Sequence, residues 1–174
     1  MKFLAKVNRN SAMFIAAVTC LMLAGSISAS AVVQKHTGKA VTAVTVVTES
    51  ELSLIGSTSF QNVGATTITV PADQVQLVVA EFTADSQCQG PFGGNWCQVR
   101  ILADGAEMNP ISGGDYAFDG VGADDFAESH VAQGSLLLGP GKHIIRVQAA
   151  VTLAGMSFFF DDWSLTVTQY NNGK

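Results

Sequence analysis

The sequence contains no apolar run long enough to form a transmembrane helix, which needs roughly 18–20 residues. Its main apolar run, residues 12–24, is shorter than that and follows a basic segment at residues 2–9. Small residues come next and end in an Ala-Ser-Ala sequence at residues 29–31, a typical signal-peptide cleavage site. We therefore predict a signal peptide over residues 1–31, no membrane span, and a secreted or periplasmic protein that begins near Val32.

Basic residues are scarce in the predicted mature chain, residues 32–174. It keeps six Lys and Arg against fourteen Asp and Glu, which gives a net charge of about −8. Binding to nucleic acid or to an anionic membrane needs clustered Lys and Arg. The composition therefore disfavours both as partners, and solubility alone accounts for the acidic charge.

Cysteine is also rare, since the chain has three and Cys20 would leave with the signal peptide. Cys88 and Cys97 remain, an even pair in an oxidising compartment. The segment between them, residues 89–96, is rich in Gly, Pro and Asn, which allow a tight return of the chain. We predict a Cys88–Cys97 disulfide that closes the base of a hairpin. The spacing is not C-x-x-C, which disfavours a redox or zinc site.

The mature sequence lacks helical periodicity. Instead, β-branched and aromatic runs alternate with clusters of Gly, Pro, Asp and Asn. Alternation at period 2 predicts strands with an identifiable core-facing side. The predicted core-facing residues are Val78, Ala80, Phe82 and Ala84, then Cys97, Val99, Ile101 and Ala103, and finally Ile145, Val147, Ala149 and Val151. In the last strand the apolar residues switch from even to odd positions along the chain. This change of phase predicts either a β-bulge near Asp161-Asp162 or burial of residues 158–160 on both faces.

About seven to nine short strands with no helix between them predict an all-β fold. We interpret residues 105–129 as a long loop, rich in Gly and Asp, with at most a short strand at residues 116–118. No repeat or linker divides residues 32–174, so we expect a single domain. An antiparallel β-sandwich of jelly-roll type fits this pattern best. An immunoglobulin-like sandwich is the second choice, because the widely spaced Cys…Trp…Cys signature is missing.

Catalytic motifs are missing as well. The sequence has no Gly-x-Ser-x-Gly and no His-Glu-x-x-His, and the two mature cysteines are expected to bond to each other. Neither a serine hydrolase, a zinc protease nor a thiol enzyme is therefore indicated. We expect structural or surface roles for the three histidines. We predict that the protein is not an enzyme, with glycoside hydrolysis by two carboxylates about 5–10 Å apart as the remaining alternative.

Four aspartates of the glycine-rich loop are candidate calcium ligands: Asp115, Asp119, Asp124 and Asp125. Calcium accepts irregular arrangements of oxygen atoms, which a flexible loop can supply. Their spacing matches no EF-hand, however, and Asp-Gly clusters also form ordinary turns. No cofactor other than calcium is indicated.

Three aromatic residues in or near loops are candidate ligand contacts: Phe92, Trp96 and Tyr116. Trp96 has the parity opposite to that of the core-facing Cys97. It therefore either points outward from a rigid loop, where it could stack on a sugar ring, or covers the disulfide. In the first case the disulfide would preorganise the loop for a ligand.

Five segments carry a resemblance to known proteins: EFTADSQC, WCQVRILADGAEMNP, DYAFD, LGPGKHIIRVQ and FDDWSLTV. They resemble a group of uncharacterised secreted bacterial β-sandwich proteins with a jelly-roll-like fold and the same Cys, Trp-Cys, Asp-Gly and Gly-Pro-Gly landmarks. The resemblance implies export and a sandwich, and it implies no activity. Two functions are then expected: a binding module for a polysaccharide or another cell-surface polymer, or a self-assembling structural or surface-coat subunit.

Overall fold

Strands dominate the computed structural model, which describes residues 40–91, 94–111, 116–122 and 127–172. Val, Ile, Thr and Phe are common in the long strands because branched and aromatic side chains pack well on a pleated surface. In chain order the strands of the described residues are β1 Val41–Glu49, β2 Ser53–Ile55, β3 Gln61–Val70, β4 Gln76–Gln89, β5 Trp96–Ala103, β6 Ala106–Glu107, β7 Asp119–Gly120, β8 Glu128–Leu138, β9 Gly141–Val151 and β10 Ser157–Asn171.

The strands pair into two antiparallel sheets that pack face to face. The first sheet has the order β1-β10-β4-β8, with β2 beside β10. The second sheet has the order β3-β9-β5-β6, with β7 beside β5. The prediction of an all-β, antiparallel β-sandwich is confirmed.

The core lies between the sheets, where the inward-pointing side chains of both meet. Every core-facing residue predicted from period 2 in β4, β5 and β9 is buried. The ring of Phe82 lies at the centre of an aromatic cluster, with centroids 5.8 Å from Phe118, 6.0 Å from Phe160 and 5.8 Å from Trp163. Aromatic pairs of this kind add about 0.5–1.5 kcal/mol each to the stabilisation that burial provides.

The disulfide predicted between Cys88 and Cys97 is present, with the two Cα atoms 5.8 Å apart. The hairpin predicted around it is wrong, because Cys88 lies in β4 of the first sheet and Cys97 in β5 of the second. Two cysteines that face the core can belong to neighbouring strands of one sheet or to strands of the two facing sheets. The alternation of side chains at period 2 is the same in both cases and does not distinguish them. The bond therefore ties the sheets together at one end of the sandwich.

β10 changes phase at the predicted place. Its register against β4 shifts between Asp161 and Ser164. Asp162, inside this shift, has a φ of 44°, in the left-handed region that Asp tolerates better than most residues. As a result Phe160 and Trp163, on the two sides of the irregularity, are both buried in the core. The predicted β-bulge is confirmed.

The two lateral sides of the sandwich differ. On one side, Asn109 and Ser135 exchange two backbone hydrogen bonds of 3.0 and 2.8 Å, which join the chain after β6 to β8. On the other side, the terminal strands β1 and β3 contact each other. The first side carries a cleft, and the second presents two strand edges.

For residues 105–129 the sequence predicts a loop with at most one short strand, at residues 116–118. Among the described residues of this segment the structure instead has the short strands β6 and β7, and β7 pairs with β5 and begins at Asp119. Phe118 turns into the core, and its N–H donates to the Cys97 carbonyl at 2.9 Å. Core packing of Phe118 decides the path of the chain here, and local propensity does not reveal it.

Several sequence predictions fall on residues outside the described ones. These are the signal peptide, residues 1–31, the candidate ligand contact Phe92, and the candidate calcium ligands Asp115, Asp124 and Asp125. Across the part of the chain that the structure describes, no helix has the length and apolar character needed to cross a membrane.

Candidate functional site

A cleft of about 340 Å³ opens on the side of the sandwich where β5 and β8 approach each other. Two residues of its lining, Ile101 and Met108, are buried, whereas Tyr116 and Val131 are exposed. The volume lies at the lower end of the range of about 300–1,000 Å³ that is typical of small-molecule sites. Of the concave features described, this cleft is the best candidate for a binding site.

The turn after β5 shapes one wall of the cleft. Asp104 and Gly105 have φ values of 51° and 88°, and positive φ at both positions is typical of the tight turns that Asp-Gly pairs form. The chain then runs back as β6 and brings Met108 against β8. A Cβ atom on Gly134 would lie 2.8 Å from Cβ of Met108, so only glycine lets the chain pass this close.

Tyr116 contributes an aromatic ring to the lining, and 45% of this residue is exposed. It is one of the ligand contacts predicted from the sequence, and the structure places it at the cleft. An exposed ring beside a concave surface can stack on an apolar ring face while its hydroxyl stays hydrated. Contact between Tyr116 and a ligand stays a prediction.

Arg100 also lines the cleft, but its guanidinium interacts with Gln148 and Phe60. Its Nε and Nη2 donate to Oε1 of Gln148 at 3.0 and 2.7 Å, and its guanidinium lies 3.9 Å from the ring centroid of Phe60. A cation stacked on an aromatic ring and bonded to an amide is already satisfied. The amide of Gln133 adds a neutral polar group to the lining, and its Nε2 lies 3.4 Å from Oε2 of Glu81.

Trp96 is the first residue of β5 and lies near the disulfide. It is only partly exposed. Its backbone is fixed by Thr152: the Trp96 N–H donates to Oγ1 at 3.1 Å, and the Trp96 carbonyl accepts from Oγ1 at 2.8 Å. The indole Nε1 is buried and has no hydrogen-bond partner among the described residues. Trp96 therefore exposes less ring surface to a ligand than an outward platform would, and its predicted role as an anchor stays untested.

A buried polar cluster that sequence analysis missed lies near the disulfide. Ser86 is only 2% exposed, and its hydroxyl donates to Oδ2 of Asp119 at 2.8 Å. Its Oγ also lies 3.1 Å from Nδ1 of His130, which is 3.1 Å from the Glu128 carbonyl. The signal was present in the sequence, because Ser86 follows Ala84 at a core-facing position of β4 and a serine there needs a partner.

The order of this cluster argues against nucleophilic catalysis. In a catalytic triad the histidine stands between the serine and the carboxylate and takes the serine proton. Here Ser86 stands between Asp119 and His130. Because a carbonyl oxygen only accepts, the bond to Glu128 requires a proton on Nδ1 of His130. That nitrogen is then a donor toward Ser86 and does not serve as its base.

Asp119 is the one predicted calcium ligand within the described residues. Its carboxylate accepts from Ser86, and its backbone pairs with Cys97. Over the described ranges, no group of three or more His, Cys, Asp and Glu side chains could hold a metal ion. Calcium binding by the loop stays a prediction, since its other three aspartates lie outside those ranges.

A second histidine, His143 near the start of β9, pairs with the carboxylate of Asp104. Nδ1 of His143 lies 2.7 Å from Oδ2 of Asp104, and Nε2 lies 2.8 Å from the Gly139 carbonyl. Hydrogen bonds from His143 and from the Ile144 N–H lower the pKa of Asp104. Burial lowers the pKa of His143, but the hydrogen bonds to Asp104 and Gly139 outweigh it and raise that pKa overall. The pair fastens the turn between β5 and β6 to β9.

Comparison with known proteins finds only distant likeness. No family model matches the chain, and no curated protein matches it. Among solved structures, it is similar to a dimeric latent PorU from Porphyromonas gingivalis, with 13% sequence identity and a TM-score of 0.34. The match covers 78% of this chain and 14% of that chain. A likeness this weak supports no inference about the site or the function.

Proposed function

We propose that this chain is a secreted, non-enzymatic binding module, and that the cleft between β5 and β8 takes a segment of a neutral polysaccharide or of another cell-surface polymer. The observation that carries the proposal is Tyr116, an exposed aromatic ring in the lining of a concave site. Sugar rings have apolar C–H faces that pack on aromatic rings and polar edges that bond to amides and hydroxyls. The cleft offers both kinds of partner, since Gln133 stands in the same lining.

Charge favours a neutral polymer over an acidic one. Arg100 is the cation of the cleft lining, and its guanidinium is engaged by Gln148 and Phe60. The chain carries fourteen acidic against nine basic residues, so an anionic polymer would be repelled as it approached. A neutral ligand meets neither obstacle.

Export is the expected condition for such a role. A disulfide between Cys88 and Cys97 is characteristic of oxidising compartments, and the predicted signal peptide points the same way. A polymer of the cell surface or of the surroundings would be within reach of a protein in the periplasm or outside the cell.

We also propose that the sandwich is of jelly-roll type. When β2 and β7, which lie off the main path of their sheets, are left out and the remaining eight strands are renumbered in chain order, the sheets have the orders 1-8-3-6 and 2-7-4-5. Two Greek keys folded over each other produce such orders. An immunoglobulin-like sandwich instead keeps several chain neighbours side by side in one sheet.

The experiment is affinity electrophoresis of the exported protein in gels that contain neutral polysaccharides, one polymer at a time. We expect one of these polymers to retard the wild type. Tyr116→Ala should then lose the retardation, while Tyr116→Phe should keep most of it, because stacking needs the ring. Tyr170→Ala is the matched control, since Tyr170 is a partly exposed tyrosine of β10 on the first sheet.

Two results would contradict the proposal. The first is retardation that survives in Tyr116→Ala at wild-type strength. The second is a wild type that no neutral polymer retards and an acidic polymer does. Trp96→Ala completes the set, because loss of retardation there with Tyr116→Ala unaffected would assign the site to the disulfide end.

A further inference from the structure

One lateral side of the sandwich has long uncharged stretches. Residues 41–48 of β1 contain no Asp, Glu, Lys or Arg, and neither does β3, Gln61–Val70. These two strands contact each other and form the side opposite the cleft. In a chain with fourteen acidic residues, such a stretch is a place where a second acidic molecule can approach without repulsion.

The outer edge of β1 is also open. β1 ends the first sheet and pairs with β10 on one side, and across the described residues no strand pairs with its other side. Natural proteins protect such edges with lysines, prolines, bulges or very short strands. Residues 41–48 contain neither Lys nor Pro, and beyond the register shift between Val41 and Ala43 the pairing of β1 with β10 is regular as far as Glu49. The opposite end of that sheet, β8, differs because it is bridged to Asn109.

Exposed apolar side chains accompany this open edge. Val44 and Val46 of β1 are each 56% exposed, and Leu52 and Leu54 nearby in sequence are 64% and 59% exposed. Leu54 belongs to β2, which pairs with the same strand, β10, as β1 does. A group of exposed apolar residues on one part of a surface is characteristic of an interaction site.

We propose that β1 pairs with β1 of a second copy of this chain, antiparallel and around a two-fold axis, so that the two first sheets join into one. A two-fold contact brings the same patch of both copies together and therefore needs a self-complementary surface. Residues 41–48, which are all Val, Thr or Ala, meet this condition. An axis near Thr45 places Glu49 of each copy beside Val41 of the other, which keeps the two carboxylates apart.

The second copy fits this edge better than a charged partner does. A basic partner would gain from acidic residues at the contact, and residues 41–48 have none. The backbone groups along the outer edge of β1 would be paired with those of an identical strand, and Val44 and Val46 would gain neighbours from the other copy. The inference is independent of the proposed function, because the cleft lies on the opposite side and stays open in the dimer.

The test is sedimentation velocity of the exported protein across a range of concentrations. We expect the wild type to sediment with twice the mass of the chain and Val46→Glu to sediment as a monomer, because each copy adds a carboxylate to the contact. Leu137→Glu is the matched control, since Leu137 is an exposed apolar residue on β8, the other end of the same sheet. It should remain dimeric.

Hydrogen exchange provides a second measurement that needs no variant. Those amides of β1 that do not bond to β10 should exchange slowly in concentrated wild-type protein and quickly on dilution. The inference is overturned if the wild type sediments as a monomer at every concentration, if Val46→Glu stays dimeric, or if β1 amides show no dependence on concentration. It is also overturned if Leu137→Glu alone dissociates, because the contact would then lie at β8.

Discussion

The backbone of Gly64 lies directly against the indole of Trp163. A Cβ atom built on Gly64 would be 2.5 Å from Cη2 of that ring, closer than a carbon contact allows. The register of β3 against β9 shifts between Asn62 and Gly64, while the β-bulge of β10 turns Trp163 into the core. The register shift in β3 and the β-bulge in β10 lie on facing sheets, and together they allow Gly64 and Trp163 to pack against each other.

We predict that Gly64→Ala destabilises the protein by about 1–3 kcal/mol, because the added methyl must displace a packed indole. Urea unfolding monitored by tryptophan fluorescence measures the change. Gly139→Ala is the control, since a Cβ there meets nothing within 4 Å. Equal urea midpoints for Gly64→Ala and the wild type would show that the core can shift to accept the methyl.

The ion pair of His143 and Asp104 predicts a pH dependence of stability. The raised pKa of His143 means that its contribution is complete below the unfolded pKa of about 6.5 and is lost as the pH rises through the folded value. The lowered pKa of Asp104 means that its contribution is complete above about 3.8 and is lost as the pH falls through the folded value. The pair therefore stabilises most between about pH 4 and pH 6.5.

Asp104→Asn tests that window and keeps a residue that tolerates the left-handed backbone. We expect the variant to be less stable than the wild type by no more than about 1 kcal/mol at pH 5.5, because the pair is partly exposed, and the difference to shrink toward pH 9. Urea midpoints of both proteins across this pH range give the answer. Glu51→Gln, a change of an exposed acid elsewhere, should show no such profile. A difference that grows with pH would contradict the assignment.

The disulfide should contribute to stability and resist reduction. Closing a short loop between Cys88 and Cys97 stabilises the folded state by about 2.5–3 kcal/mol in the chain-entropy model. Both residues are buried, so a reductant should reach the bond only after partial unfolding. Urea unfolding with and without reductant measures the first effect, and the rate of thiol release in native buffer measures the second. Rapid release without loss of structure would show that the bond is accessible in the folded protein.

The buried hydroxyl of Ser86 should matter for stability. Ser86→Ala leaves Asp119 and His130 without a shared partner, which costs about 1–3 kcal/mol. Thermal unfolding of the variant compared with Ser59→Ala, a change of an exposed serine, isolates the buried contribution. A gain in stability for Ser86→Ala would mean that an apolar residue suits the position better than the hydrogen bonds do.

The sequence also predicts the chemical state of the exported chain. We expect mass spectrometry to find a mature N-terminus near Val32, because cleavage after residues 29–31 removes the apolar segment. Alkylation without reductant should add no mass, since Cys20 is then gone and the other two cysteines are bonded. An intact N-terminus or an alkylated thiol would contradict the prediction.

Local chemistry was sufficient for much of the fold. Alternation at period 2 identified the buried faces of β4, β5 and β9, because each strand places successive side chains on opposite sides wherever its partners lie. The change of phase around Asp162 predicted the β-bulge, since it is a property of a few consecutive residues. Cys88 was predicted to pair with Cys97 because they are the two cysteines that remain once the predicted signal peptide is removed.

The assignment of strands to sheets was decided by the tertiary structure. Alternation shows which side of a strand is buried and is the same whether the next strand lies beside it or across the core. For that reason the sequence placed Cys88 and Cys97 in one hairpin, whereas the fold puts them in facing sheets. The cleft has the same origin: Tyr116 and Met108 line it together with residues of β8 only because the sheets stack, and no local pattern records which distant strand lies nearby.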